Sequence, residues 1–283
     1  MTFLSAKPVA TPAVAIIGVP YDGTSTFRAG SRHAPEAIRW ASQSIESYSP
    51  VLRRDLERTS LADLGDIDVA VPDPLAVIDA VRERVERLPP ATLPAVLGGE
   101  HTITLGVVQA LRARYRDLAV LQLDAHPDLR DEYEGQRLSH ATVMRRVLEV
   151  VGTGAVVGLG LRAGAREEFE FAPAVMRFHG QDLAMPPAVW SWLEQRPLHV
   201  TIDIDIVDPA EAPGTGNPEP QGVSGRDLLM LIRRLSMLRV VGFDVVEVSP
   251  PYDPSGRTAV LAATIVREAI LSVSGIRGSG SVD

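Results

Sequence analysis

The feature that most constrains the fold is a regular alternation of short apolar runs with longer amphipathic stretches. The apolar runs are bounded by Gly, Pro or Asp and have the length of buried strands. They cover residues 13–19, 95–97, 118–123, 155–159, 175–178, 198–206 and 240–246. Helical patterns lie between them, for example over 74–88, 101–115, 139–150, 224–235 and 257–272. Strands that alternate with helices in this way predict an α/β fold, with a parallel sheet covered on both faces.

Proline and glycine cluster in loops that follow predicted strands, notably 20–35, 208–222 and 249–256. In parallel α/β sheets, ligands bind outside the carboxyl ends of the strands. We therefore expect the functional residues to lie in these loops. No linker or repeat divides the sequence, so residues 1–283 are predicted to form a single domain.

Composition excludes several classes of protein. The chain has no cysteine, which excludes disulfide scaffolds, zinc fingers, iron–sulfur clusters and cysteine nucleophiles. Its formal charge is −8 and it has no block rich in lysine or arginine, so no nucleic-acid partner is expected. The run 13–19 is shorter than the roughly 20 apolar residues that span a membrane, and it lacks the flanks of a signal peptide. We expect a cytoplasmic protein that does not enter a membrane.

A first cluster of polar residues follows the predicted strand 118–123. Asp124, His126 and Asp128 alternate along the chain, so an extended backbone would point all three side chains to one side. Their position is the edge of the sheet where ligands bind. We therefore interpret them as members of one site.

A second cluster lies in the run 198–206, where Asp203 and Asp205 share one face of the predicted strand. Two neighbouring carboxylates on a buried strand repel each other and lose hydration, which costs several kcal/mol unless a positive charge compensates. Neither acidic cluster contains a lysine or arginine before Arg130. A bound cation is the simplest explanation.

A third element is the segment 98–102, in which a strand runs into two glycines and then a helix start at His101. Together with the two acidic clusters it supplies two imidazoles and four carboxylates. The set is His101, Asp124, His126, Asp128, Asp203 and Asp205. So many charged ligands suit two ions that share bridging carboxylates, a known hydrolytic arrangement. Oxygen-rich sites with a few histidines favour Mn²⁺, and Ni²⁺, Co²⁺, Fe²⁺ and Zn²⁺ stay open as alternatives.

These motifs, in this order, resemble the ureohydrolase family of agmatinases and arginases. The matching segments read GGEHT, LDAHPD, SHAT, TIDIDIVDPAEAPGTG and VEVSP, and the blocks 18–39 and 131–146 are most similar to bacterial agmatinases. The resemblance runs from about residue 18 to 270, and the second and fourth segments are its most specific parts. It implies a three-layer αβα sandwich around a mostly parallel, eight-stranded, arginase-like sheet. It also implies two Mn²⁺ ions per subunit.

Carried over position by position, the resemblance assigns the ligands of each ion. One ion would take His101, Asp124, Asp128 and Asp203, and the other would take Asp124, His126, Asp203 and Asp205, with Asp124 and Asp203 bridging. A hydroxide between the ions would be the nucleophile. Glu247 would grip the substrate guanidinium and His140 would shuttle protons to the leaving amine. Asp128 joins Glu247 and His140 as an expected catalytic residue.

The implied reaction is hydrolysis of a guanidinium C–N bond with release of urea, and agmatine is the expected substrate, giving putrescine in a step of polyamine biosynthesis. The acidic loop 129–138, with Glu134 as the expected substrate contact, favours a cationic tail. Arg130 and Arg137 lie in the same loop and could receive a carboxylate instead. Guanidinobutyrase, arginase and guanidine hydrolase therefore remain alternatives, and a dinuclear phosphoesterase or a catalytically silent homologue is a more remote one. The family resemblance implies a homo-trimer or homo-hexamer.

Other candidate residues are assigned ordinary structural roles. His199 is interpreted as a satisfied core histidine, His33 and His179 as loop residues, and Asp208 as a turn former. Some positions also depart from the usual family pattern without removing a ligand. They are Glu100, Thr102, Ala141 and Gln221.

Overall fold

The computed structural model describes residues 1–69 and 73–274. Its centre is an eight-stranded sheet with the order β4-β1-β5-β10-β9-β6-β7-β8, in which every neighbouring pair is parallel. A two-stranded ribbon, β2 and β3, lies outside it. The strands are β1 Val14–Gly18, β2 Tyr48–Ser49, β3 Arg54–Asp55, β4 Leu61–Asp66, β5 Leu93–Leu97, β6 Ala119–Leu123, β7 Val156–Leu159, β8 Phe178–Gly180, β9 Leu198–Asp203 and β10 Val240–Val246. This confirms the predicted α/β class and parallel sheet.

Helices cover both faces of the sheet and complete three layers. They are α1 Ala34–Ser42, α2 Pro74–Glu86, α3 Thr104–Arg114, α4 Val143–Val151, α5 Arg166–Val175, α6 Pro187–Glu194, α7 Gly225–Arg234 and α8 Arg257–Ser274. One apolar core includes residues of α1, α6, α7 and α8, and the other includes residues of α2, α3, α4 and α5. None of the helices in the described part of the chain combines the length and apolar composition that crossing a bilayer requires.

The alternation of side chains within a strand explains why the sheet needs both helical layers. In β5, Leu93, Ala95 and Leu97 pack into the first core, while Val96 between them packs into the second. Every residue of this strand is buried, as expected for a parallel sheet with two covered faces. This explains why the apolar runs of the sequence do not alternate with polar residues.

Several predicted element bounds were wrong. The run 175–178 is not a strand, since α5 continues to Val175 and the strand is Phe178–Gly180. The run 198–206 leaves the sheet at Asp203, whose side chain accepts a hydrogen bond from the backbone N–H of Asp205 and caps a 3₁₀ turn. The edge strand Leu61–Asp66 was not predicted, because acidic residues and a glycine interrupt its apolar pattern.

The sheet order places the functional candidates together. β5, β10, β9 and β6 are adjacent at the centre of the sheet, and all four point the same way. The loops after their carboxyl ends carry the segments that the sequence analysis selected. The topology thus joins segments that lie more than 100 residues apart in sequence.

Candidate metal centre

The six predicted ligands converge at one cavity. His101 opens a 3₁₀ turn after β5, and Asp203 ends β9. His101, His126, Asp128, Asp203 and Asp205 line the cavity, and Asp124 lies beneath it with no exposed surface. The ligand atoms form two groups that could each hold a metal ion, and Asp124 belongs to both.

The first group surrounds His101. Its Nδ1 lies 3.1 Å from an Asp124 oxygen, 3.0 Å from an Asp128 oxygen and 3.6 Å from an Asp203 oxygen. This nitrogen is buried and has no hydrogen-bond partner. A buried ring nitrogen that has no hydrogen-bond partner and faces three carboxylates suits a metal ligand, so these residues fit a divalent cation.

The second group surrounds His126. Its Nδ1 lies 2.8 Å from Asp205 Oδ2 and 3.8 Å from Asp124 Oδ1. His126 is partly exposed at 23%, whereas the two aspartates are buried. The second group therefore lies nearer the mouth of the cavity than the first.

Turns rather than extended backbone bring the ligands together. The expectation that Asp124, His126 and Asp128 lie on one face of an extended chain was wrong, because β6 ends at Leu123. The Asp124 carboxylate accepts a hydrogen bond of 2.7 Å from the backbone N–H of His126, which bends the chain at once. Asp128 then adopts a left-handed backbone with φ of 52°. Its carbonyl accepts hydrogen bonds from the first turn of α4, at Met144 and Arg145.

The electrostatics of the cluster favour the binding of cations. Burial, together with the charge of Asp124, raises the pKa of Asp128 to about 7. Burial and the neighbouring Asp205 raise the pKa of Asp203 well above its usual value. Burial alone would lower the pKa of His126, but the Asp205 carboxylate raises it to about 10. A cluster that retains protons so strongly is suited to bind cations in their place.

Glu247 follows β10 and borders the same cavity. Its backbone is left-handed, with φ of 64°, and its N–H donates a hydrogen bond of 2.9 Å to the carbonyl of Gly99. Gly99 itself admits no side chain, since a Cβ there would lie 1.8 Å from the Tyr21 carbonyl oxygen. One carboxylate oxygen of Glu247 accepts the backbone N–H of His101 at 2.7 Å. Burial and the nearby Glu100 raise the pKa of Glu247 well above its usual value.

His140 also lines the cavity and is held by Thr24, which in turn is bonded to Glu100. The backbone N–H of His140 donates to Thr24 Oγ1 at 3.1 Å, and its ring Nδ1 lies 3.4 Å from the same oxygen. The Thr24 hydroxyl donates to the buried carboxylate of Glu100 at 2.5 Å. The Tyr133 ring meets the imidazole edge-on at 5.9 Å between centroids. Burial lowers the pKa of His140 to about 4, so its imidazole is uncharged at neutral pH.

Comparison with known proteins then identifies the family. A sequence model of the arginase family matches residues 12–272. The chain belongs to the arginase family. It is accordingly a ureohydrolase, and the resemblance seen in the sequence is confirmed.

Individual members of the arginase family are similar over almost the whole chain. Agmatinase from Bacillus anthracis is 43% identical over 263 residues, which cover 91% of each chain. A structure of the agmatine ureohydrolase of Thermoplasma volcanium has a TM-score of 0.89 and 36% identity, covering 99% of this chain and 96% of that one. Guanidinobutyrase from Pseudomonas aeruginosa is 32% identical over 276 residues, covering 93% of this chain and 86% of the relative.

Some residues at the arginase-family site were not predicted. Glu168 in α5 is buried and accepts hydrogen bonds from the backbone N–H groups of Leu129 and Ala165, at 2.9 and 2.8 Å. It thereby fastens the loop that carries Asp128 to the start of α5. Nothing in the sequence signals this role, because Glu168 lies in an ordinary amphipathic helix.

Glu134, expected to contact substrate, is not among the residues that line the cavity. Tyr133 and Gln136 exchange backbone hydrogen bonds of 2.9 Å, and the tight turn between them leaves Glu134 exposed at its tip. The residues of this loop that line the cavity are Arg130 and Tyr133. The structure thus places Arg130 and Tyr133 of this loop against the cavity, and the substrate contact expected of Glu134 stays a prediction.

Of the residues given structural roles, Asp208 and His33 occupy such positions. His179 was expected in a loop and instead lies within β8, and Nδ1 of the buried His199 has no hydrogen-bond partner, so that histidine is only partly satisfied. His199 is buried in β9 and its Nε2 lies 2.8 Å from Asp244 Oδ2. The Asp208 carboxylate accepts hydrogen bonds from the backbone of Ala210 and Gly222, as a turn former does. His33 is exposed in the loop after β1.

Proposed function

We propose that this hydrolase converts agmatine and water into putrescine and urea at a pair of divalent cations, with the whole chain acting as one ureohydrolase domain. The observation that carries the proposal is the sharing of Asp124 between two groups of potential ligands, beside a buried glutamate that faces the same cavity. The similarity to agmatinases at 40–43% identity supports the choice of reaction.

The ions would be held by the two overlapping groups together with Asp203, which belongs to neither group but has an oxygen 3.6 Å from His101 Nδ1. We assign His101, Asp124, Asp128 and Asp203 to one ion, and Asp124, His126, Asp203 and Asp205 to the other. When bound, such a pair of cations supplies Lewis acidity that lowers the pKa of coordinated water. Because the donors are only oxygen and imidazole nitrogen, we propose Mn²⁺ as the resident metal.

Glu247 would bind and orient the guanidinium group. One of its carboxylate oxygens is occupied by the backbone N–H of His101, which fixes the plane of the carboxylate. The other oxygen lies 3.3 Å from the position that a Cβ on Gly216 would occupy. A buried carboxylate is a strong partner for a guanidinium cation, because the pair forms charge-assisted hydrogen bonds. The substrate carbon would then lie between Glu247 and the metal ligands.

His140 would move the proton that the leaving amine needs. In the overall reaction the guanidinium carbon gains oxygen from water, the C–N bond to the butyl chain breaks, and the departing nitrogen gains a proton. The imidazole is uncharged at neutral pH and Nδ1 lies against Thr24, so Nε2 is the nitrogen left to accept and deliver that proton.

A second candidate substrate, 4-guanidinobutyrate, depends on Arg130. Arg130 lines the cavity and its guanidinium could receive a carboxylate tail. Its charge is opposed, however, by the buried Glu168, whose carboxylate lies 3.4 Å from Arg130 Nε. The pair is therefore close to neutral and does not favour an anionic tail over a cationic one.

The location and assembly of the protein belong to the same proposal. A cytoplasmic enzyme that forms a homo-trimer or homo-hexamer is proposed from the family resemblance. Its partner is a small cationic guanidino substrate. Size-exclusion chromatography with light scattering measures the assembly directly.

The experiment is a urea-release assay with the metal-free protein reconstituted with Mn²⁺ or, separately, Ni²⁺. The substrates are agmatine, arginine, 4-guanidinobutyrate and guanidine at equal concentrations. We expect the highest kcat/KM with agmatine and Mn²⁺. Urea from 4-guanidinobutyrate in preference to agmatine would replace the substrate, and no urea from any compound with either metal would reject the proposed activity.

A further inference from the structure

A buried chain of polar side chains extends behind His101, away from the cavity. The ring Nε2 of His101 lies 2.9 Å from Thr201 Oγ1, on β9. The Thr201 hydroxyl donates a hydrogen bond of 2.6 Å to Asp244 Oδ1, on the adjacent strand β10. The other oxygen of Asp244 lies 2.8 Å from His199 Nε2. All four side chains have essentially no exposed surface.

The sheet itself creates this juxtaposition. Thr201 and Asp244 are paired residues in the register of β9 and β10, so their side chains lie next to each other on one face. His199 lies two residues before Thr201 and points to that same face. Burial of an unpaired carboxylate costs several kcal/mol, and here both oxygens of Asp244 accept a hydrogen bond.

The chemistry of the groups fixes the direction of each hydrogen bond. An ionised carboxylate only accepts, so the Thr201 hydroxyl proton is committed to Asp244. Thr201 can then only accept at its remaining lone pairs, from His101 Nε2 and from the Thr104 hydroxyl 3.3 Å away. His101 must therefore carry its proton on Nε2. Its Nδ1, which has no hydrogen-bond partner, is then the nitrogen available to a metal ion.

We propose that Asp244, Thr201 and His199 are positioning residues that fix the tautomer and ring orientation of His101 for its metal ion. Neither Asp244 nor Thr201 contacts the cavity, so each acts only through His101. The inference rests on the proposed function, because it requires that His101 bind an ion. It explains why β9 contains a buried histidine and threonine, and the adjacent strand β10 a buried aspartate, where apolar residues would be expected.

The test compares metal binding by the wild-type protein with binding by Thr201→Val, Thr201→Ser and Asp244→Asn. Valine keeps the shape of threonine and removes the hydroxyl, whereas serine keeps the hydroxyl. Asparagine adds a donor where only an acceptor suits the chain. Each metal-free protein is titrated with Mn²⁺, and free Mn²⁺ is measured by electron paramagnetic resonance to give the number of ions and their Kd values.

We expect Thr201→Val and Asp244→Asn to weaken one of the two ions by about 10- to 100-fold, the usual effect of losing an outer hydrogen-bond partner of a metal ligand. The ion associated with His126 and Asp205 should keep its affinity. Thr201→Ser should bind both ions nearly as the wild type does.

Ser49→Ala is the matched control, because Ser49 Oγ donates an equally buried hydrogen bond of 2.9 Å to Glu268, remote from the cavity. It should lower stability without changing Mn²⁺ affinity. Unchanged Kd values in Thr201→Val and Asp244→Asn would overturn the inference while leaving the proposed function intact, and so would equal weakening in Ser49→Ala. A wild-type protein that binds no ions would reject the proposed function as well. If Asp244→Asn does not fold, the Thr201 pair decides the matter alone.

Discussion

Replacing Glu247 by Gln tests whether this carboxylate lowers the stability of the protein while raising its activity. Glu247 is 6% exposed, and burial and the charge of Glu100 raise its pKa well above the usual value. The ionised side chain is therefore unfavourable in the protein without substrate. Glutamine keeps the shape and retains an oxygen for the backbone N–H of His101, now 2.7 Å from the carboxylate. The metal-free variant should be at least as stable as the wild type.

The catalytic effect should be large. Removing the charge from one member of a desolvated ion pair costs about 2–5 kcal/mol. At about 1.4 kcal/mol per factor of ten, kcat/KM for agmatine should fall roughly 30- to 4,000-fold. The assay is urea release at saturating Mn²⁺, combined with urea-induced unfolding of the metal-free protein followed by circular dichroism. In that unfolding experiment the midpoint should stay equal or rise.

Glu268 provides the matched control, since it is also a buried glutamate but lies in α8 and receives hydrogen bonds from Arg233, Ser49 and Arg267. Glu268→Gln should lose stability and keep its kcat/KM, the opposite of Glu247→Gln. A loss of less than tenfold in kcat/KM for Glu247→Gln would refute the assignment of the guanidinium to this carboxylate. A large loss of stability in that variant would refute the electrostatic argument.

Three further predictions concern the metal site and the core. Asp203→Ala should abolish binding of the ion pair, and two ions per chain by elemental analysis would refute a bridging role for Asp203. Chelation should lower the melting temperature by roughly 10–20 °C, because each of the two ions at 100 times its Kd adds about 2.7 kcal/mol and each kcal/mol shifts Tm by about 2–4 °C. Calorimetry with Mn²⁺ restored checks this. Although burial opposes it, hydrogen bonds from Arg233, Ser49 and Arg267 lower the pKa of Glu268. The stabilisation by the ionised Glu268 is thus present above the pKa of the unfolded state and is lost as the pH falls through the lower pKa of the folded state. At pH 7 the free energy of unfolding of Glu268→Gln should therefore be about 2 kcal/mol below that of the wild type, and this difference should shrink below about pH 4. An undiminished deficit at pH 3 would contradict this.

The sequence was sufficient to predict which residues lie together at the cavity, because the topology of a parallel sheet determines which loops are adjacent. The predicted strands placed Asp124 directly after one apolar run and Asp203 near the end of another, and parallel strands bring their carboxyl ends to one edge. The edge strand Leu61–Asp66 was missed because only its first two residues are buried, so its apolar pattern is too short to indicate a strand.

The local geometry of the site could not be predicted in this way. The side chains of Asp124 and Asp203 fold back on the backbone two residues later, so each strand ends where an alternating pattern suggested that it continued. Such turns depend on a single side-chain hydrogen bond, which leaves no periodic signal. The role of Glu168 depends on the packing of α5 against a distant loop. Only the folded chain shows that contact.

The left-handed backbone at Asp128 and Glu247 has a consequence for how this enzyme can evolve. Glycine adopts that conformation without strain, whereas a residue with a side chain pays about 1–2 kcal/mol. Selection for thermal tolerance alone would therefore drive both positions to glycine and discard the two carboxylates. A homologue with glycine at either position should be sought among proteins that have gained stability after abandoning this reaction.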